Sequence, residues 1–253
     1  MVFSHGFGCD QEMWRLLTPA FVDEYKIVLY DHVGFGRSQQ AAWDPVRHSQ
    51  LSTYSRELLE VIDDLGLSDV VFIGHSVASM IGVLAAIEAP DRFSDLVLVG
   101  PSPCYIDDAR SDYVGGFSAA DIDSLLEALD ANYFGWSSTM APVIVGNAER
   151  PELAAELRDS FCRTDPGVAS TFARATFLSD NRADLALLDV PALVLQCAAD
   201  SIAPTQVGRY VADHIAVSEL VHLRATGHCP NLSAPEETAQ AIKAYLGRRS
   251  QAP

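Results

Sequence analysis

Short apolar runs and longer stripes of helical period alternate along this chain. The runs are Val2–Ser4, Lys26–Tyr30, Val70 to a corner at Ser76, Asp95–Gly100, Ala192–Cys197 and Glu219–Leu223. Several are apolar without alternation, as in Leu96-Val97-Leu98-Val99. That is the pattern of parallel strands covered on both faces. Between them the spacing predicts helices over Cys9–Val22 with Asp10 as N-cap, Ser52–Leu67, Val77–Ala89, Thr205–His214 and Pro235–Arg249. The tail from Ser250 is expected to fray.

The rhythm changes between Pro101 and Leu188. Strand signals stop, and helical segments follow one another: Ala119–Trp136, Thr139–Gly146, Pro151–Cys162 and Pro166–Ser179. A helical insert between two strands of a parallel sheet covers the strand ends. The expected organisation is an α/β core of residues 1–100 and 189–253, with a helical cap over residues 101–188.

With 253 residues and 49% of them hydrophobic, the chain can build one large α/β domain. A formal charge of -17 argues against nucleic acid and anionic membranes as partners. No apolar run reaches the length of a membrane span, no signal peptide opens the chain, and the cytoplasm is the expected compartment. Cys9, Cys104, Cys162, Cys197 and Cys229 are scattered and lack metal or redox spacing, so neither a metal nor a cofactor is expected. The glycine-punctuated loop Asp31–Ser38 has no phosphate-binding fingerprint and reads as a turn.

Chemistry concentrates where strands end. Gly74-His75-Ser76-Val77-Ala78 lies between a strand and a helix. This is a G-x-S-x-G elbow with Ala78 at the last position. Taken alone, it also fits an ordinary βα loop. Two further residues follow strands at the same end of a parallel sheet: Asp200 after Ala192–Cys197 and His228 after Glu219–Leu223. In the order Ser, Asp, His they match the α/β-hydrolase arrangement of nucleophile, orienting acid and base. His75 is expected to face away from Ser76, and His5 to shape the loop after the first strand. Asp180 falls in the cap and Asp189 at the wrong end of its strand. The backbone N–H groups of Phe7 and Val77 are the expected oxyanion donors.

The stretches HGFGCDQ from His5, GHSV from Gly74, VGPSPCY from Val99, CAADSIAP from Cys197 and GHCPNLSAP from Gly227 carry a more specific likeness. The chain resembles the small α/β-hydrolases typified by the bacterial stress-response protein RsbQ and the plant strigolactone and karrikin receptors. The resemblance implies a lid of four helices over an apolar pocket lined by Phe117, Trp136, Met140 and Phe177. It implies slow hydrolysis of a small hydrophobic ester or lactone, without a cofactor, and signalling through a partner. In the bacterial branch that partner is a PAS-containing phosphatase. A ligand sensor with little turnover is the alternative, and a cofactor-free haloperoxidase is a more remote one. The family has about two strands before the HG loop that this chain lacks, which is expected to reflect a truncated chain or a mis-assigned start. The sheet is therefore expected to hold six parallel strands, with Lys26–Tyr30 as a bare edge.

Overall fold

The computed structural model describes residues 1–251; Ala252 and Pro253 of the tail expected to fray lie outside the described residues. Six strands form one sheet: β1 (Val2–Ser4), β2 (Val28–Tyr30), β3 (Val70–His75), β4 (Phe93–Val99), β5 (Ala192–Ala199) and β6 (Ser218–Thr226). Their spatial order is β2-β1-β3-β4-β5-β6, and every pairing is parallel. This is the expected sheet, with β2 at its edge. Strands β3 to β5 are buried almost throughout, in line with their unbroken apolar runs.

The chain leaves β1 to one side for β2, then crosses back to lay β3 on the other flank of β1. The loops after β1 and β3 thus flank a switch point, where open α/β sheets leave a crevice at their carboxyl ends. Helices α1 (Leu51–Asp64), α2 (Val77–Glu88), α3 (Ala119–Ala131), α4 (Tyr133–Val145), α5 (Pro151–Arg163), α6 (Pro166–Phe177), α7 (Thr205–His214), the single turn α8 (Pro230–Ser233) and α9 (Pro235–Arg249) complete the fold. Among the described residues no helix is long and apolar enough to cross a membrane.

Three predicted helices take other forms. Residues 9–22 hold two 3-10 turns, Gln11–Trp14 and Thr18–Ala20. Asp10 does cap the first, accepting from Glu12 N–H at 3.0 Å, but Pro19 has no N–H to continue a helix from it. Trp14, Leu17 and Phe21 still reach the core. The predicted helix over Ala119–Trp136 breaks at Asn132, whose side chain accepts from Gly135 N–H at 3.0 Å and starts α4. Helix α4 then runs on through Pro142 to a left-handed cap at Gly146, so Thr139–Gly146 is not a helix of its own.

Candidate active site

Strand β3 ends at His75, α2 starts at Val77, and Ser76 forms the corner with φ 57 and ψ -124. A residue with a side chain enters such a region at a cost of about 1–3 kcal/mol, so the surroundings must hold it there. Ser76 N–H donates to Val99 O at 2.8 Å, and Ser76 O accepts from Ser79 N–H at 2.9 Å. Strand and helix crowd at this turn: a Cβ on Gly74 would lie 2.6 Å from Ala78 O, and one on Gly82 would collide with the Phe72 ring. The methyl of Ala78 is fully buried without displacing either contact. The tightest packing falls on Gly74 and Gly82, which leaves room for alanine at residue 78.

The structure brings Ser76, His228 and Asp200 together from three strand ends. His228 Nε2 lies 2.8 Å from Ser76 Oγ, and His228 Nδ1 lies 2.7 Å from Asp200 Oδ2. All three are buried. The carboxylate can only accept, so Nδ1 carries a proton and neutral His228 presents Nε2 as acceptor to the serine hydroxyl. Asp200 Oδ1 accepts from Ile202 and Ala203 N–H at 2.8 and 3.1 Å. Burial alone would raise the pKa of Asp200. The facing imidazole and these two N–H groups outweigh it, and its pKa falls below the usual carboxylate value.

The loop that carries His228 is held on two sides. Gly227 N–H donates to Ala199 O at 2.7 Å, and His228 N–H to Ile144 O of α4 at 2.8 Å. Gly227 has φ 80, and a Cβ there would collide with Val145 O. Gly100, with φ 57, leaves space for the imidazole: its Cβ would sit 3.2 Å from His228 Cε1. His5 Nδ1–H donates to Gly6 O at 3.0 Å and its Nε2 accepts from His32 N–H at 3.1 Å, bracing the loop that leads to Phe7.

Above Ser76 lies a chamber of about 30 Å³ walled mainly by apolar side chains of helices α3 to α6, among them Trp136, Met140, Phe161 and Phe177. Phe7 also lines it, while Val77 stands buried one residue past Ser76 at the start of α2. The expectation for Phe117 is corrected: it packs half-buried beside the core and does not line the chamber. Its backbone pairs with the segment after β4, Phe117 N–H to Tyr105 O at 3.2 Å and Asp107 N–H to Phe117 O at 2.8 Å. Tyr105 takes the inward place instead, with its hydroxyl 3.5 Å from Ser76 Oγ. Burial pushes the Tyr105 phenol up to about 12, so it stays protonated at neutral pH.

Tyr105, Cys9, Cys229, Thr176 and His75 also line the chamber and were not expected there. For Tyr105 the residues VGPSPCY carried a signal, since the segment directly follows a strand at the active end of the sheet. His75 meets the same histidine as Ser76: its Nε2–H donates to His228 O at 2.7 Å.

The profile of the alpha/beta hydrolase family matches residues 1–241. The chain belongs to the α/β-hydrolase family. A strigolactone esterase of Arabidopsis thaliana is 37% identical to this α/β-hydrolase over 249 residues, 98% of this chain and 92% of the relative. A karrikin insensitive 2 receptor of Petunia hybrida is 34% identical over 247 residues, 97% of this chain and 89% of the relative. Among solved structures, a hydrolase from Oleispira antarctica is 39% identical and superposes with a TM-score of 0.94, covering 97% of this chain and 90% of its own.

Proposed function

We propose that this α/β-hydrolase is a serine hydrolase of small hydrophobic esters or lactones. One observation carries the reading: the hydrogen-bonded series Ser76–His228–Asp200 is complete and opens on an apolar chamber. A serine hydroxyl becomes a nucleophile when a base removes its proton as it attacks. His228 Nε2 takes that proton while Oγ bonds to the substrate carbonyl carbon. The oxyanion that forms is met by the N–H groups of Phe7 and Val77, one such donor being worth roughly 3 kcal/mol. Collapse expels the alcohol, which leaves with the proton from His228. Water, deprotonated by the same imidazole, then frees Ser76 from the acyl group. Asp200 keeps the proton on Nδ1 and stabilises the imidazolium.

The esterase among the relatives supports this substrate class. A chamber of about 30 Å³ has room for roughly two water molecules, so it must widen to hold a substrate. That small size, with a receptor among the relatives, favours a second reading in which a bound ligand is sensed and turned over slowly. Hydrolysis of p-nitrophenyl esters from acetate to octanoate, and of a butenolide ether, tests the first. Activity greatest for short chains and absent in Ser76→Ala is expected; equal activity of the two proteins would overturn it. Under the second reading, ligand shifts the melting temperature of Ser76→Ala as it does that of the parent protein.

A further inference from the structure

Several hydroxyls inside the helices of this protein are bonded to the preceding turn, and other buried ones find a partner elsewhere, as Ser79 does at Gly74 O. Ser137, Ser138, Thr139, Thr171 and Thr238 each donate to the carbonyl four residues earlier, at 2.7 to 3.2 Å. A threonine in a helix has this rotamer open to it. Thr176, in the last turn of α6, does otherwise. It is 1% exposed, its Oγ1 has no partner, and it lines the chamber above Ser76.

Of the buried polar atoms without a partner, one other belongs to a chamber residue, His75 Nδ1. That nitrogen is turned toward Gly6, where a Cβ would lie 2.5 Å from it, and so it faces the loop rather than a ligand. Tyr105 contributes its hydroxyl beside Ser76 itself. Thr176 is therefore a chamber residue of α6 with an unpaired hydroxyl, in a wall of helices α3–α6 that is apolar apart from it and the Trp136 indole. A buried hydroxyl left unpaired is costly, and one paired by a ligand becomes a means of selection.

We infer that Thr176 is a specificity-determining residue whose hydroxyl donates to a second oxygen of the substrate, apart from the carbonyl that Ser76 attacks. The inference rests on the proposed hydrolase reading and narrows its substrate class. The preferred substrate is a compact ester or lactone bearing a further ether or carbonyl oxygen within an apolar skeleton, rather than a plain alkyl ester.

Two pairs of near-isosteric p-nitrophenyl esters test this: methoxyacetate against butyrate, and 3-methoxypropionate against pentanoate. Each pair exchanges one CH₂ for oxygen at a different distance from the carbonyl. The intrinsic reactivity of the ethers cancels when the ether-to-alkyl ratio of kcat/KM is compared between proteins. In at least one pair, Thr176→Val should lower that ratio about fivefold or more, while Thr176→Ser retains it. A ratio unchanged by Thr176→Val in both pairs would overturn the inference and leave a hydroxyl served by solvent alone. A ratio lowered equally by both variants would also overturn it, since side-chain shape would then decide. Release of p-nitrophenolate that is the same in Ser76→Ala, or absent from all four esters, is a failure of the hydrolase reading itself, and the inference falls with it.

Discussion

His75 Nε2–H donates to the backbone oxygen of His228 at 2.7 Å, across 153 residues of chain. Ser76 approaches the same residue through its imidazole. Neighbours in sequence thus grip His228 from its main chain and from its ring. His75 is kept neutral, its pKa pushed down to about 3 by burial first and by the nearby His228 second. A neutral ring with Nε2 protonated is the form this bond needs.

His75 is accordingly a positioning residue. His75→Leu leaves a buried carbonyl unpaired and lets the His228 loop drift. It should lower kcat about tenfold, with KM changed little, as expected for a lost hydrogen bond felt mainly in the transition state. His75→Gln, whose amide can still donate, should recover part of that loss. Steady-state kinetics on one short-chain ester distinguishes the three proteins.

Asp200→Asn keeps the shape of the site and removes the acceptor that holds the proton on Nδ1. The imidazole then loses its correct tautomer, and kcat should fall by about 10⁴ while the fold stays intact. Circular dichroism and turnover measured on the same sample check both halves.

Gly227→Ala would put a methyl into Val145 O at a φ of 80. Either α4 or the His228 loop must move. Loss of stability by about 1–3 kcal/mol is expected from the strained backbone alone. Activity should drop further than the unfolded fraction explains. Urea unfolding paired with active-site titration separates these effects.

Buried histidines also set a pH dependence of stability. His5, His32 and His75 all have their pKa lowered, chiefly by burial. In the unfolded chain each takes up a proton near pH 6.5. Below that pH the unfolded state holds more protons than the folded one, so stability falls as pH falls. The window opens near pH 6.5 and, for His75, extends down to about 3. Between pH 7.5 and 5.5 His75 alone should remove about 1.4 kcal/mol, with His5 and His32 adding in the same direction. Asp31 and Asp200, both held below the usual carboxylate value, extend the loss into the acid range. Urea unfolding at the two pH values measures it, and His75→Gln should show a shallower dependence.

The sheet was legible because parallel strands announce themselves as unbroken apolar runs. Ser76, Asp200 and His228 were legible because each lies within a few residues of the end of a predicted strand. What lines the chamber was less so. Trp136, Met140 and Phe177 came from likeness to a family, and they do line it; Phe117 came the same way and does not. Its place depends on pairing with the loop around Tyr105, a contact between irregular segments that leaves no periodic trace in sequence. Thr176 and His75 were missed for a related reason. An unpaired hydroxyl and a bond to a distant carbonyl arise from how cap and loops close, and residue type alone says nothing of either. The two 3-10 turns over residues 11–20 kept the apolar spacing of a helix, so periodicity could not tell them apart.

The account stands on Ser76 as a nucleophile activated by His228. Intact-mass analysis after treatment with a small fluorophosphonate is the most direct test. A single adduct on the parent protein, mapped to the peptide bearing Ser76, is predicted, with none on Ser76→Ala and strongly slowed labelling of His228→Gln. Equal labelling of all three proteins, or an adduct mapped to another residue, would contradict it.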